Sequence, residues 1–301
     1  MSLVATPPEK TLEHWTSSYL RYRYKSKVSL WWPSFGQDIE LASPRNLPGK
    51  SLNLEIKTSY MDSRFFKIKI RYSQLISYIS WNSPSFEPYY VFPLPIWPGR
   101  IEDYARVNLK NKSEFSYSRS GSMWYPNWAW VIHSRSLYNY LQKNQSLISQ
   151  KDDEKTLVKG TWNSTKNKYD LQWLPSRGPR NRPTFQPPSS LVNLRDFLDK
   201  FEQCGGVGFP QAVHLPRFSL LEGVSIEGVK EQMIKYGIIL QNNDGYPYAN
   251  NENVDYIEDC DTFIIGEKNK FFPCPTEGVS LEVPPGSNLQ RLFVDARAFV
   301  S

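Results

Sequence analysis

The sequence is poor in the residues that build soft metal sites and disulfide frameworks. Among 301 residues there are only three cysteines and three histidines. Cys204, Cys260 and Cys274 are widely spaced and form no Cys-x-x-Cys pair, so neither a zinc ribbon nor a disulfide framework is indicated. The histidines are equally scattered, which argues against a histidine-based catalytic triad.

Long apolar runs are also missing. No stretch approaches the roughly 18 residues that a membrane-spanning helix needs. The N-terminus shows no signal-like pattern, because Met1 to Thr6 is followed directly by Pro-Pro-Glu-Lys. The sequence therefore predicts a soluble, cytoplasmic protein that does not associate with membranes.

Charge is distributed unevenly along the chain. The formal net charge is +6, but residues 1–150 carry 19 Lys and Arg against 10 Asp and Glu, whereas residues 151–301 carry 17 against 20. Such asymmetry is typical of a protein in which one half contacts a polyanion. The first half therefore becomes the candidate for nucleic-acid binding.

Two basic segments are candidate nucleic-acid contacts. In the first, Arg21, Arg23 and Lys25 alternate with tyrosines, and cations can contact phosphates while rings stack on bases. An amphipathic helix with a solvated basic face explains this pattern equally well. The second segment is Pro-rich and includes Arg177 and Arg180, and a solvated linker is its alternative explanation.

Hydrophobic periodicity predicts an α+β chain. The predicted elements of the first part are a helix over 11–27 capped by Thr11, strands over 38–41, 52–58 and 65–70, a helix over 73–80 and a strand over 89–92. Leu52, Leu54 and Ile56 alternate with polar residues, which predicts that the second strand is half-buried. Leu75, Ile76 and Ile79 form the predicted apolar stripe of the second helix.

Beyond residue 95 the pattern is weaker. A strand over 124–132 and a helix over 136–142 are predicted to complete a first domain over 1–145. Residues 146–189 are rich in Ser, Asn, Lys and Pro, which predicts a linker or extended loop. Residues 190–301 are predicted to form a C-terminal α+β region that serves recognition or docking.

Polar residues on two predicted strands form a candidate metal site. Asp38 and Glu40 share one strand face, Glu55 and Lys57 share another, and pairing through the 43–50 loop would align these faces. Carboxylates, with the backbone carbonyl of Ile56, are hard oxygen ligands suited to Mg²⁺. The metal would polarise a phosphate and acidify a bound water, while the Lys57 ammonium orients that water and offsets developing negative charge.

These residues resemble the signature of the PD-(D/E)xK nuclease superfamily. Gly36-Gln-Asp38 is similar to its Gly-x-Asp variant, and Glu55-Ile-Lys57 to its E-x-K element. Gln74-Leu-Ile-Ser-Tyr78 is similar to the Q-x-x-x-Y motif of the exonuclease-like branch. The resemblance covers residues 10–95, and the Pro-Asp pair of the family name is absent.

The resemblance implies a restriction-endonuclease-like fold, with a mixed sheet flanked by helices, and cleavage of DNA with Mg²⁺ or with Mn²⁺ as a substitute. It implies catalytic roles for Asp38, Glu55, Lys57, Gln74 and Tyr78. It also suggests a metal-binding role for a glutamate of the first helix, here Glu13, while Glu40 could be a second ligand or an exposed strand residue.

Bland explanations exist for each member of this set. Glu55 and Lys57 could form an exposed charge pair, Gln74 could lie on the helix surface, and Tyr78 could be a core residue. A glutamate in the first turn of a helix, such as Glu13, is stabilised by the helix dipole alone. A nuclease fold that binds nucleic acid or a partner without cutting it, and a nuclease acting on RNA, are the alternative functions.

The resemblance and the chain's organisation also suggest partners. One site per chain cuts one strand, so cleavage of a duplex would call for a homodimer or a partner protein, bound through the C-terminal half.

Overall fold

The structure is a computed structural model of the chain. It describes residues 3–4, 7–33, 49–62, 65–81, 86–100, 103, 124–144, 153–174, 185–202, 211–214, 262–265, 271–273 and 281–299. The backbone contacts divide the chain into two units. The first contains Met1–Tyr19, Glu55–Ser80 and Tyr89–Asp196, and the second contains Leu20–Leu54, Trp81–Pro88 and Phe197–Ser301. This division does not follow the consecutive domains expected over 1–145 and 190–301.

The described chain is α+β, as predicted. Its helices are α1 Glu9–Tyr24, α2 Tyr72–Ser80, α3 Tyr125–Trp128, α4 Ser134–Lys143 and α5 Leu194–Glu202. Its strands are β1 Leu3–Val4, β2 Val28–Trp31, β3 Gly49–Ile56, β4 Ser59–Asp62, β5 Phe65–Arg71, β6 Tyr89–Pro93, β7 Ala129–His133, β8 Glu154–Asn163, β9 Lys168–Trp173, β10 Val192–Asn193, β11 Gln211–His214, β12 Thr262–Ile265, β13 Phe271–Pro273 and β14 Leu289–Asp295.

In the first unit, five strands form an antiparallel sheet in the order β1-β4-β5-β8-β9. Within it Phe66 lies opposite Gly160, where a Cβ atom would come within 2.0 Å of the Phe66 ring. Glycine at this position therefore lets the ring pack flat on the sheet. The linker predicted over 146–189 is wrong for 154–173, because β8 and β9 pair with the sheet there.

This unit has a second group of strands, which comes from the chain after α2. β6 pairs with β7 and β7 with β10, all antiparallel. The predicted strand over 124–132 is partly wrong, because Pro126 lies in the first turn of α3 and only the later residues form β7. Proline fits the start of a helix, where its missing N–H costs nothing.

In the second unit, β2 pairs with β14, and the first residues of β3 pair with β11. β11 in turn pairs with β12, and β12 pairs with β13. All eight residues of β3 are buried, so the expectation of a half-buried strand is wrong. The polar side of the strand is covered because Asn53 donates to the Phe86 carbonyl and accepts from Arg291, which also donates to Ser51.

Helix α1 confirms the first predicted helix but not its cap. It begins at Glu9, because the carbonyl of Pro8 accepts the N–H groups of Thr11 and Leu12. It ends at Tyr24, where Lys25 adopts a φ of 54° in the left-handed region that closes helices. None of the helices in the described part of the chain is long and apolar enough to cross a bilayer.

Candidate active site

The side chain of Glu55, near the end of β3, is the centre of the site. It is fully buried, and both of its oxygens are engaged. Oε1 lies 2.6 Å from the Lys57 ammonium nitrogen, and Oε2 accepts a hydrogen bond of 2.7 Å from the Tyr78 hydroxyl. The carboxylate is therefore held in one orientation by a cation and a phenol.

Lys57 meets Glu55 because residues two apart in an extended chain point to the same side. Its backbone N–H donates to the Val91 carbonyl at 2.8 Å, which ties the end of this segment to β6. The Lys57 side chain is only 8% exposed. The pair is thus a nearly dry ion pair, and the alternative of an exposed charge pair is wrong.

Gln74 and Tyr78 lie on the buried face of α2, together with Leu75. Their i, i+4 spacing puts both on one side of the helix. The predicted apolar stripe is partly wrong, since Ile76 is 45% exposed and Ile79 is only half-buried. Tyr78 points inward, and its hydroxyl reaches Glu55. Gln74 is buried on the same helix face, so the alternative that it lies on the helix surface is wrong.

Two glutamates of α1 lie one turn apart at the edge of this site. Glu13 is buried and forms an ion pair with Lys10, whose nitrogen lies 3.0 Å away. Glu9 accepts a hydrogen bond from the backbone N–H of Thr58, the residue that follows Lys57. Sequence reasoning named Glu13 and missed Glu9.

The pKa of Glu9 shows that this carboxyl lies within electrostatic reach of the central pair. Burial raises the pKa of Glu9, and the carboxylates of Glu55 and Glu13 raise it further, against lowering by the Lys57 ammonium. The net pKa is above its usual value. The sequence did contain a signal for Glu9. Glu9 and Glu13 are like charges at i and i+4, which weaken a helix, so their presence indicates a role other than helix stability.

Tyr90, on β6, is a further neighbour of Glu55. Burial raises the pKa of the Tyr90 phenol well above its usual value, and the Glu55 carboxylate adds to that effect. Its ring meets that of Tyr78 edge to face, with centroids 6.2 Å apart. Its buried hydroxyl has no hydrogen-bond partner among the described residues. Buried hydroxyls normally have a partner.

Several of the remaining predicted residues lie outside the part of the chain that the structure describes. Asp38, Glu40, Arg177 and Arg180 lie outside the described residues. Ile56 has a buried side chain, and its carbonyl stays a predicted ligand. Within the described ranges, no group of three His, Cys, Asp or Glu side chains is arranged to hold a metal ion. Asp38 stays a predicted metal ligand.

The basic cluster at the end of α1 is only partly available to a ligand. Arg21 and Lys25 are exposed. Arg23 instead forms ion pairs with Asp199 and Glu202 of α5, and its side chain is 18% exposed. The nucleic-acid contact of Arg23 stays a prediction, and to make it the guanidinium would have to exchange these two carboxylates for phosphate.

The Glu9→Gln variant is expected to stabilise the metal-free protein at neutral and higher pH. The raised pKa means that ionised Glu9 destabilises the fold. This penalty grows as the pH rises from 4.5, the ordinary pKa of a glutamate, through the raised pKa of Glu9. Near pH 8 in EDTA, the free energy of unfolding should rise by about 0.5–1 kcal/mol. Near pH 4 the gain should vanish. Urea unfolding measures both, and a loss of stability near pH 8 would contradict the account.

Comparison of the chain with protein-family models, with curated proteins and with solved structures gave no significant match.

Proposed function

We propose that this protein is a metal-dependent nuclease that hydrolyses phosphodiester bonds in DNA. The observation that carries the proposal is the buried contact of Glu55 with Lys57 and Tyr78, beside Glu9 and Glu13. A buried ion pair is weak evidence for stability, because apolar residues of similar volume usually serve the fold as well. A further carboxylate, Glu9, within electrostatic reach of such a pair therefore favours a chemical role.

The donor chemistry of this site fits Mg²⁺, with Mn²⁺ as a substitute. Carboxylate and carbonyl oxygens are hard ligands, and the two oxygens of an ionised carboxylate offer about four acceptor sites. The unsatisfied Tyr90 hydroxyl nearby suits the water that hard cations retain. Asp38, Glu55 and the Ile56 carbonyl would hold the ion, with Glu9 or Glu13 as a further ligand.

Each residue of the chain has a distinct task in this proposal. When bound, the metal ion supplies Lewis acidity to the phosphate and to a water molecule. Lys57 orients the attacking water and offsets the negative charge that develops on the phosphate oxygens. Tyr78 fixes the orientation of the Glu55 carboxylate. Gln74, on the same helix face, would contact either Tyr78 or the DNA backbone.

The partners follow from charge and symmetry. The excess of Lys and Arg in residues 1–150 favours DNA as the substrate. Duplex cleavage by one site per chain would require a second copy or a partner protein, for which the C-terminal half is the candidate surface. A cytoplasmic setting, with chromosomal or invading DNA, would fit restriction, defence or mobile-element processing.

One observation favours a second function, a module that binds DNA or a protein without cutting. Both Glu55 oxygens are already bonded to protein groups, as they would be in a purely structural site. The two functions differ in whether Glu55 exchanges these bonds for a metal. Salt-sensitive binding with no cleavage in any metal would support the second function.

The test is incubation of supercoiled plasmid with the full chain in Mg²⁺, in Mn²⁺ and in EDTA. We expect nicking in both metals, none in EDTA, and loss of nicking in Asp38→Ala and in Lys57→Ala. Cleavage that survives both substitutions would refute the assigned site. Running an RNA substrate in parallel decides between the two nucleic acids.

A further inference from the structure

The solvent face of the five-stranded sheet in the first unit is basic. Burial alternates along β5, with Phe66, Ile68 and Ile70 in the core. Phe65, Lys67, Lys69 and Arg71 therefore project from the other face, because residues two apart share a side of a strand. This face carries three consecutive outward cations on one strand.

The pairing of β5 with β8 places two of these cations against each other. Lys67 lies directly opposite Lys159. Like charges directly opposite each other on paired strands destabilise a sheet. Nearby on the same strand, Lys69 instead forms a 2.8 Å ion pair with Glu154. A lysine pair is therefore not what stability alone would select at this position.

The Phe65 ring holds both ammonium groups in place. The Lys159 nitrogen lies 3.8 Å from the ring centroid and the Lys67 nitrogen 5.0 Å. Cation–π attraction offsets part of the repulsion and keeps both charges together at the surface. Both ammonium groups therefore lie beside one ring on the same face of the sheet.

The same row of residues leads towards the candidate active site. On the other side of Lys67, its cross-strand partner is Tyr60 of β4. Burial raises the pKa of the Tyr60 phenol, and the carboxylates of Glu9 and Glu154 raise it further, against lowering by Arg71. Tyr60 follows Lys57 by three residues in the chain and lies in the same structural unit.

We propose that Tyr60, Phe65, Lys67 and Lys159, here called the lysine row, bind the phosphate backbone of the DNA that enters the candidate active site. The inference rests on the proposed function, because it names the surface that positions that site's substrate. Adjacent ammonium groups match the close, regular negative charge of a nucleic-acid strand, whose neutralisation releases counterions and makes binding salt-dependent.

The experiment measures binding of a fluorescent DNA duplex to the full chain in EDTA, at several salt concentrations. For Lys67→Ala/Lys159→Ala we expect about tenfold weaker binding at about 0.1 M salt, and a slope of log K against log salt that is smaller by about 1.8, or 0.9 for each lost phosphate contact. The thermal midpoint should stay the same or rise, because the repulsive pair is gone.

Two control variants make the result specific. Lys143→Ala/Lys200→Ala removes the same charge from exposed helix positions off this sheet and should change affinity by less than about twofold. Lys67→Arg/Lys159→Arg keeps the charge and should bind as the wild type does. Wild-type affinity and slope in the double alanine variant, or an equal loss in the helix control, would overturn the lysine row.

The outcomes separate this inference from the nuclease proposal. If the wild type binds through the lysine row but never nicks DNA in metal, the row stands and the nuclease proposal fails. If the wild type nicks DNA and the double alanine variant binds normally, the nuclease proposal stands and the row fails. If the wild type does not bind DNA at all, the row is wrong.

Discussion

Glu55→Gln is expected to lower metal-dependent nicking of plasmid DNA by about 10³-fold, the scale of losing one preorganised charged group in an active site. The amide has the shape of the carboxylate, and its oxygen can accept from Lys57 while its NH2 group donates to the Tyr78 hydroxyl. It lacks the negative charge that would hold a divalent cation. The measurement is the single-turnover rate of nicking in Mg²⁺.

The matched control for this variant is Glu154→Gln. Glu154 is an exposed glutamate in the same unit, with Lys69 as its ion-pair partner, and lies outside the proposed site. Its amide variant should nick DNA within about twofold of the wild-type rate, since an exposed pair contributes little. Equal rates for Glu55→Gln and Glu154→Gln would remove Glu55 from the mechanism.

Glu55→Leu is expected to cost about 3–5 kcal/mol of unfolding free energy, because breaking a buried pair leaves a charge uncompensated. The Lys57 side chain is 8% exposed and would lose the carboxylate at 2.6 Å. The Tyr78 hydroxyl would lose its acceptor in the same step. Urea unfolding monitored by circular dichroism measures the loss.

Removing both charges should restore most of that stability. In Glu55→Leu/Lys57→Met no ammonium is left buried, and apolar side chains of similar volume fill the space. We expect this double variant to unfold within about 1–2 kcal/mol of the wild type and to have no nuclease activity. If the double variant is as unstable as Glu55→Leu, the ammonium of Lys57 is not the source of the loss.

The centre of the candidate site could be predicted from the sequence because local periodicity determines it. Alternation along an extended segment puts Glu55 and Lys57 on one side, and helical spacing puts Gln74 beside Tyr78. The bond between Tyr78 and Glu55 joins two elements that are distant in the chain, and spacing alone cannot supply it. Burial depth was missed for the same reason, since the polar side of β3 is covered by residues as remote as Arg291.

The β8–β9 hairpin shows a second limit. Its residues are rich in Lys, Asn and Thr, which suggested a linker, yet Leu157, Val158 and Tyr169 are buried. Polar residues dominate because an antiparallel strand with one solvated face needs them there. Composition averages the two faces and so hides the alternation. Glu9 and Tyr90 were missed because their relation to Glu55 depends on how α1 and β6 pack.

Binding of Mn²⁺ to the full chain, followed by the electron paramagnetic resonance signal of the free ion, tests the central claim most directly. The claim is that Glu55, held by Lys57 and Tyr78, is a ligand of a divalent metal ion. The wild type should bind Mn²⁺ saturably in competition with Mg²⁺, and Glu55→Gln should leave the ion free at the same concentrations. Equal binding by both proteins would contradict the account.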